Sequence, residues 1–130
     1  MIIELDNTSP IPIYVQLRNQ IVLGIGRGEL KIGESLPTVR QMAIDAGMNV
    51  MTVNKAYNVL KNEGYIEIDR RHGAIISPKT DKNNEYKEKL EAELELLITE
   101  ASLKGIDKEK FINSCYELFD KQHIAALGGA

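Results

Sequence analysis

The chain has 130 residues, 43% hydrophobic and 27% charged, with 16 Lys and Arg against 19 Asp and Glu. Such fractions belong to one globular domain of ordinary size, or a small one with an appendage, and exclude wholesale disorder. A net charge of −3 and a single Cys115 exclude a protein that coats nucleic acid by bulk charge, an internal disulfide and a cysteine-rich zinc cluster. No apolar run approaches the ~18–20 residues of a membrane span. The start, Met1-Ile2-Ile3-Glu4-Leu5-Asp6, lacks the basic and apolar regions of a secretory signal, so the expected address is the cytoplasm with no membrane partner.

The first helix is expected to begin near Pro12, with Tyr14, Leu17, Ile21 and Ile25 as its apolar stripe and Gly28 as its stop. A turn and a stub of strand follow over Gly33-Glu34-Ser35-Leu36-Pro37. Thr38-Val39-Arg40-Gln41 has the form of a capping box, in which the Thr38 hydroxyl accepts three residues on and Gln41 reaches back. It opens a short helix that uses Val39, Met42 and Ala43 and ends near Ala46-Gly47. After the Gly47-Met48 turn, Asn49 caps a third helix. Val53, Ala56, Tyr57 and Leu60 are its buried face, and Asn49, Val50, Met51, Asn54, Lys55 and Asn58 face solvent. Gly64 closes that helix. Tyr65-Ile66-Glu67-Ile68-Asp69 alternates as a strand, Arg70-Arg71-His72-Gly73 turns, and Ala74-Ile75-Ile76-Ser77 returns, giving a hairpin with a basic tip.

Charge divides the chain near Pro78. Residues 1–78 carry eight basic and eight acidic side chains, whereas residues 79–130 carry 8 and 11, so the negative excess lies wholly in the second segment. Two domains are therefore expected, 1–78 and 79–130, joined by a polar linker around Ser77-Pro78-Lys79-Thr80. In the second segment Leu90, Leu94, Leu97, Ile98 and Ala101 stripe a long helix that ends at Gly105. Asp107 caps another, with Ile106 placed to staple against Phe111. Phe111, Ile112, Cys115, Leu118 and Phe119 form its apolar face, where Cys115 reads as a packing residue rather than a nucleophile. Two helices cannot enclose Leu90, Leu94, Leu97, Phe111, Leu118 and Phe119 by themselves. A second copy of the chain is the expected cover, so the segment reads as a dimerisation element.

Helix, short capped helix, turn, capped helix and basic-tipped hairpin is the order of a winged helix-turn-helix, which makes the chain mainly α with a small β wing. A recognition helix needs one apolar face for the scaffold and one polar face for base edges. Here that face offers asparagines, which can bond bidentately to adenine, and Val50 and Met51, which suit thymine methyls. The wing tip of Arg70, Arg71 and His72 can reach phosphates or the minor groove, and Lys55 and Lys61 can contact phosphates. Gly73 supplies a positive φ in the turn and permits close backbone approach.

The residues Pro12-Ile13-Tyr14-Val15-Gln16-Leu17, Gly24-Ile25, Gly28-Glu29-Leu30, Gly33-Glu34 and Leu36-Pro37-Thr38-Val39-Arg40 resemble the amino-terminal domain of GntR-type bacterial transcription regulators. Thr52-Val53, Ala56-Tyr57, Leu60 and Glu63-Gly64-Tyr65-Ile66 continue the pattern in register, so the resemblance covers about residues 10–77. The short two-helix remainder resembles the YtrA-like subfamily. The resemblance implies that Arg40, beside Thr38, contacts base or phosphate. It implies that Asn49, Val50, Met51, Thr52 and Asn54 fall on the recognition-helix contacts, and His72 and Gly73 on the wing. The chain departs from the family at Val50 and Asn54, often basic there, so an operator core richer in A·T is expected. A homodimeric repressor on a palindromic double-stranded operator is expected from the resemblance, which also links the subfamily to transporter operons. No residue points to a cofactor or identifies a small-molecule effector. A protein-interaction module built on the same winged helix is the alternative, against which Arg40 and the basic tip stand. No paired-carboxylate, Cys/His, metal-ligand or phosphate-loop motif supports an enzyme.

Overall fold

Pro12 stands immediately before the first helical residue, where its missing N–H costs no hydrogen bond. In the computed structural model, which describes residues 3–124, the elements are α1 (Ile13–Gly26), α2 (Val39–Ala46), α3 (Val50–Asn62), β1 (Ile66–Asp69), β2 (Gly73–Ile76), α4 (Glu85–Leu103) and α5 (Lys108–Asp120). The predicted winged helix-turn-helix followed by two helices is therefore the observed fold. Among the described residues, no helix is long and apolar enough to cross a membrane.

The chain divides into two compact units. The first runs through Lys79 and also takes in His123, and the second is Thr80–Gln122. In the first, Leu17, Ile21 and Ile25 of α1 pack with Val53, Ala56, Tyr57 and Leu60 of α3. Met42 and Ala43 of α2, Leu30 and Leu36 from the connection, and Ile66, Ala74 and Ile76 of the hairpin complete the core. The stripe expected on α1 holds except that Tyr14 is only half-buried.

β1 and β2 are antiparallel, with Ile66 opposite Ile76 and Asp69 opposite Gly73. The expected strand stub forms a third row on β2. Ser35 bridges Ile75, the N–H of Leu36 donates to Ala74 (2.8 Å) and that of Ile76 donates to Glu34 (2.9 Å). Simple alternation fails at Ile68, which shares a strand face with the buried Ile66 yet is 46% exposed. It stands opposite small Ala74, one pair from the tip of the hairpin.

At the C-terminal end of α1, the N–H of His123 donates to the Gly26 carbonyl at 2.8 Å. A Cβ on Gly28 would meet the His123 carbonyl oxygen at 2.8 Å, so this close approach, together with φ of +77°, reserves the position for glycine. The second unit is unlike the first, because neither α4 nor α5 contains a buried residue. Asp107 caps α5 by accepting from the Lys110 N–H at 2.9 Å, and Glu85 and Glu88 lie in the first turn of α4. Cys115 is half-buried rather than a core residue, since α4 and α5 alone are too few to enclose it.

Truncating Leu60→Ala in this core is expected to cost about 2–5 kcal/mol. Urea unfolding of both chains followed by circular dichroism measures the difference.

Candidate nucleic-acid interface

The site begins with two caps. The Thr38 Oγ accepts the Gln41 N–H at 3.1 Å and starts α2, while the Asn49 Oδ1 accepts the Met51 N–H at 2.7 Å and starts α3. Only half of the expected capping box forms, because the Gln41 amide donates to Asp45 Oδ1 at 2.7 Å instead of returning to Thr38. A carboxylate one turn ahead on the same helix face is a stronger acceptor than the backbone behind it offers. Tyr57 joins the two helices. Its buried hydroxyl donates to the Pro37 carbonyl at 2.8 Å, just ahead of the α2 cap, and burial pushes its phenol pKa up.

With Val53, Ala56, Tyr57 and Leu60 turned into the core, helical geometry forces the rest of α3 outward. Asn49, Val50, Met51, Asn54, Lys55 and Asn58 are exposed, Met51 at 80%, whereas Thr52 is half-buried. Arg40 is exposed on α2, and neither it nor Lys61 has an ion-pair partner among the described residues. Lys55 is engaged within the fold, its Nζ lying 4.1 Å from the centre of the Tyr14 ring. That interaction is weak at an exposed site, about 0.5–1 kcal/mol, and a phosphate can replace it. Arg18, by contrast, is committed to structure: its Nε donates to Glu63 Oε1 at 2.9 Å and its guanidinium lies over Tyr65.

The hairpin tip is organised by Asp69. One of its carboxylate oxygens accepts the Arg71 N–H at 2.9 Å, and the other lies 2.8 Å from His72 Nδ1. The His72 hydrogen bond first, and the Arg71 N–H second, hold the Asp69 pKa below the usual carboxylate range. Arg70, Arg71 and His72 are all exposed. Gly73 follows at φ +70° with nothing within 4 Å of the place a Cβ would occupy, so the backbone conformation alone selects glycine there.

Thr38, Arg40, Asn49 to Thr52, Asn54 and Lys55 come from α2, its cap and the first half of α3, all in the first unit with the tip. The six tail residues lie in the second unit. Leu90, Leu94, Leu97, Leu118 and Phe119 are exposed, Phe119 at 75%, and Phe111 is half-buried. Among the described residues no group of three or more His, Cys, Asp or Glu could hold a metal ion.

The family profile described as bacterial regulatory proteins, gntR family, matches residues 13–76. The HTH-type transcriptional repressor YtrA of Bacillus subtilis (strain 168) is 36% identical over 110 residues, which cover 83% of this chain and 85% of that protein. The solved structure of YtrA from Sulfolobus acidocaldarius, a GntR-family transcription factor, is 35% identical with a TM-score of 0.64, covering 79% of this chain and 99% of that one. A protein of Listeria monocytogenes EGD-e, described as a transcriptional antiterminator, is 26% identical with a TM-score of 0.81 over 96% of both chains.

Tyr57→Phe is expected to lower stability by about 0.5–1.5 kcal/mol, because it removes the hydrogen bond that the Tyr57 hydroxyl donates to the Pro37 carbonyl. Chemical denaturation reads that loss. At the wing tip, the lowered Asp69 pKa means that its bonds are intact above the ordinary carboxylate value of about 3.9 and are lost as pH falls through the lower folded value. An NMR titration should place the Asp69 midpoint below that of the same residue in an unstructured peptide. The Arg71 amide should lose its protection in the same step.

Proposed function

The chain belongs to the gntR family of bacterial regulatory proteins, in its YtrA-like branch, and on that premise we propose that it is a homodimeric repressor that binds a palindromic operator. The observation that carries the reading is the two-faced α3, buried on one side and exposing an amide-rich row on the other. Arg40 and the Arg70–His72 tip, exposed in the same unit, add cations to a row whose one charged side chain is Lys55.

In this reading α3 enters the major groove. Asn49 and Asn54 read adenines, Val50 and Met51 pack on thymine methyls, and Thr38, Thr52 and Lys55 assist at the backbone. Arg40 contributes a base or phosphate contact, and Arg70, Arg71, His72 and Gly73 follow the neighbouring backbone or minor groove. Regulation is by occupancy, with the bound protein excluding the transcription machinery. A transporter operon is the expected class of target.

Dimerisation is assigned to segment 79–130, next to a DNA-binding domain of 1–78. What supports it is the absence of any buried residue in α4 and α5, together with the exposed Leu90, Leu94, Leu97, Leu118 and Phe119 and the half-buried Phe111. Covering each such side chain is worth roughly 1.5–3 kcal/mol, which a second copy supplies for both helices at once. A twofold axis then matches the inverted repeat of the operator.

Selection from randomised duplexes tests the function directly. The expected product is an inverted repeat with half-sites one or more turns apart, at roughly 34 Å per turn. Failure to enrich any sequence overturns the reading. Arg40→Ala should weaken binding to that duplex by about 1–3 kcal/mol with an unchanged melting temperature. Asn54→Ala should change the selected bases more than the overall affinity, since an amide releases no counterion. The double substitution Leu94→Glu and Leu97→Glu should give a monomer by sedimentation. Its affinity for the inverted repeat should fall by about 10²-fold or more, because the avidity of two linked half-sites is lost.

A further inference from the structure

Residues 4–11, which carry no helical or strand periodicity, are held against α1 by two glutamines one helical turn apart. The Gln20 amide exchanges hydrogen bonds with Glu4, accepting its N–H at 2.8 Å and donating to its carbonyl. Gln16 does the same for Asp6, accepting its N–H at 2.8 Å and donating to its carbonyl at 2.9 Å, and it also donates to the Ile11 carbonyl at 2.8 Å. Two residues of extended chain span ~6.6 Å and four residues of helix ~6 Å, so paired side-chain amides can imitate a neighbouring strand. Alternation then turns Ile3 and Leu5 inward, and both are half-buried.

This arm walls a concavity of about 310 Å³ against the helix-turn-helix turn. Leu5, Ile13, Ala46 and Met48 give it apolar sides, and Asn7, Asn49 and Thr52 give it amides and a hydroxyl. No lining residue is a carboxylate. The nearby Asp6 carboxylate is occupied by Thr8, accepting its N–H at 2.9 Å and its hydroxyl at 2.6 Å. Asn7 is exposed, and its side-chain amide has no partner among the described residues.

We infer that the arm is a third DNA-contacting element, in which the Asn7 amide donates to a sugar-phosphate edge of the operator seated in this concavity. The occupant follows from the lining: Asn49 and Thr52 already lie on the face assigned to DNA, so a duplex against α3 covers the mouth of the concavity. Neutral donors without a carboxylate suit a phosphate oxygen, and the apolar walls suit deoxyribose. Gln16 is the positioning residue, since it fixes the backbone on both sides of Asn7. The inference rests on the DNA-binding reading above.

The test uses the full chain and the duplex recovered by selection. Asn7→Ala should weaken binding about tenfold for all selected sequences alike, as expected for one hydrogen bond to a charged oxygen. Asn7→Lys should bind more tightly and steepen the dependence of log affinity on log salt by about 0.9, one further neutralised phosphate. The same lysine at Asn113 in α5 should leave the slope unchanged. Gln16→Leu should reproduce the loss of Asn7→Ala, and combining the two should add little further. If the wild type binds its duplex and Asn7→Ala binds equally well, or Asn7→Lys leaves the slope where it was, the arm is not a contact. A wild-type chain that binds no duplex overturns both this inference and the reading beneath it.

Discussion

The burial of one face of α3 is the constraint on which the rest of the first unit depends. Val53, Ala56, Tyr57 and Leu60 are the residues against which α1, α2 and the hairpin settle. Once they are inward, the direction of every other α3 side chain is fixed by the helical repeat, without any interaction of its own. The Tyr57 hydroxyl ties α3 to the chain entering α2, because it bonds the Pro37 carbonyl next to the Thr38 cap. The exposed face of α3 is thus held in one orientation by a few apolar contacts and one hydrogen bond behind it.

Cations are scarce in the first unit, and the fold commits several of them. Arg18 is taken by Glu63, Lys79 lies 3.5 Å from Glu67, and Lys55 rests on Tyr14. Arg40, Lys61 and the tip arginines are among those that no ion pair engages within the described residues. On the proposed reading, a surface so lean in charge gains little from non-specific attraction and relies on fit, amide bonding and apolar contact for its affinity.

Much of this was legible in the sequence because it is periodic or local. The stripe Leu17, Ile21, Ile25, the buried set on α3, the Thr38 and Asn49 caps and the basic turn are all fixed by neighbours within four residues. What was missed depends on distant partners. The arm over residues 4–11 gives no sign by itself, because its bonds come from Gln16 and Gln20, whose amides read as ordinary surface groups. The cation–π contact of Lys55 and the return of His123 to Gly26 likewise need α1 to be in place first. Gln41 was misjudged for a local reason, since Asp45 competes for the same amide. The exposed face of α3 was visible as the complement of the core face, although the concavity beside it was not.

The separation of the two faces of α3 bears on how such a protein can diverge. Val50, Met51, Asn54 and Asn58 are exposed, so replacing any of them leaves the packing of Val53, Ala56, Tyr57 and Leu60 untouched. After a gene duplication, one copy can accumulate changes on that row while its fold is inherited intact. Selection on what the exposed row contacts and selection on folding then act on different residues of the same thirteen-residue helix. Packing constrains one face of the helix and leaves the other free to drift.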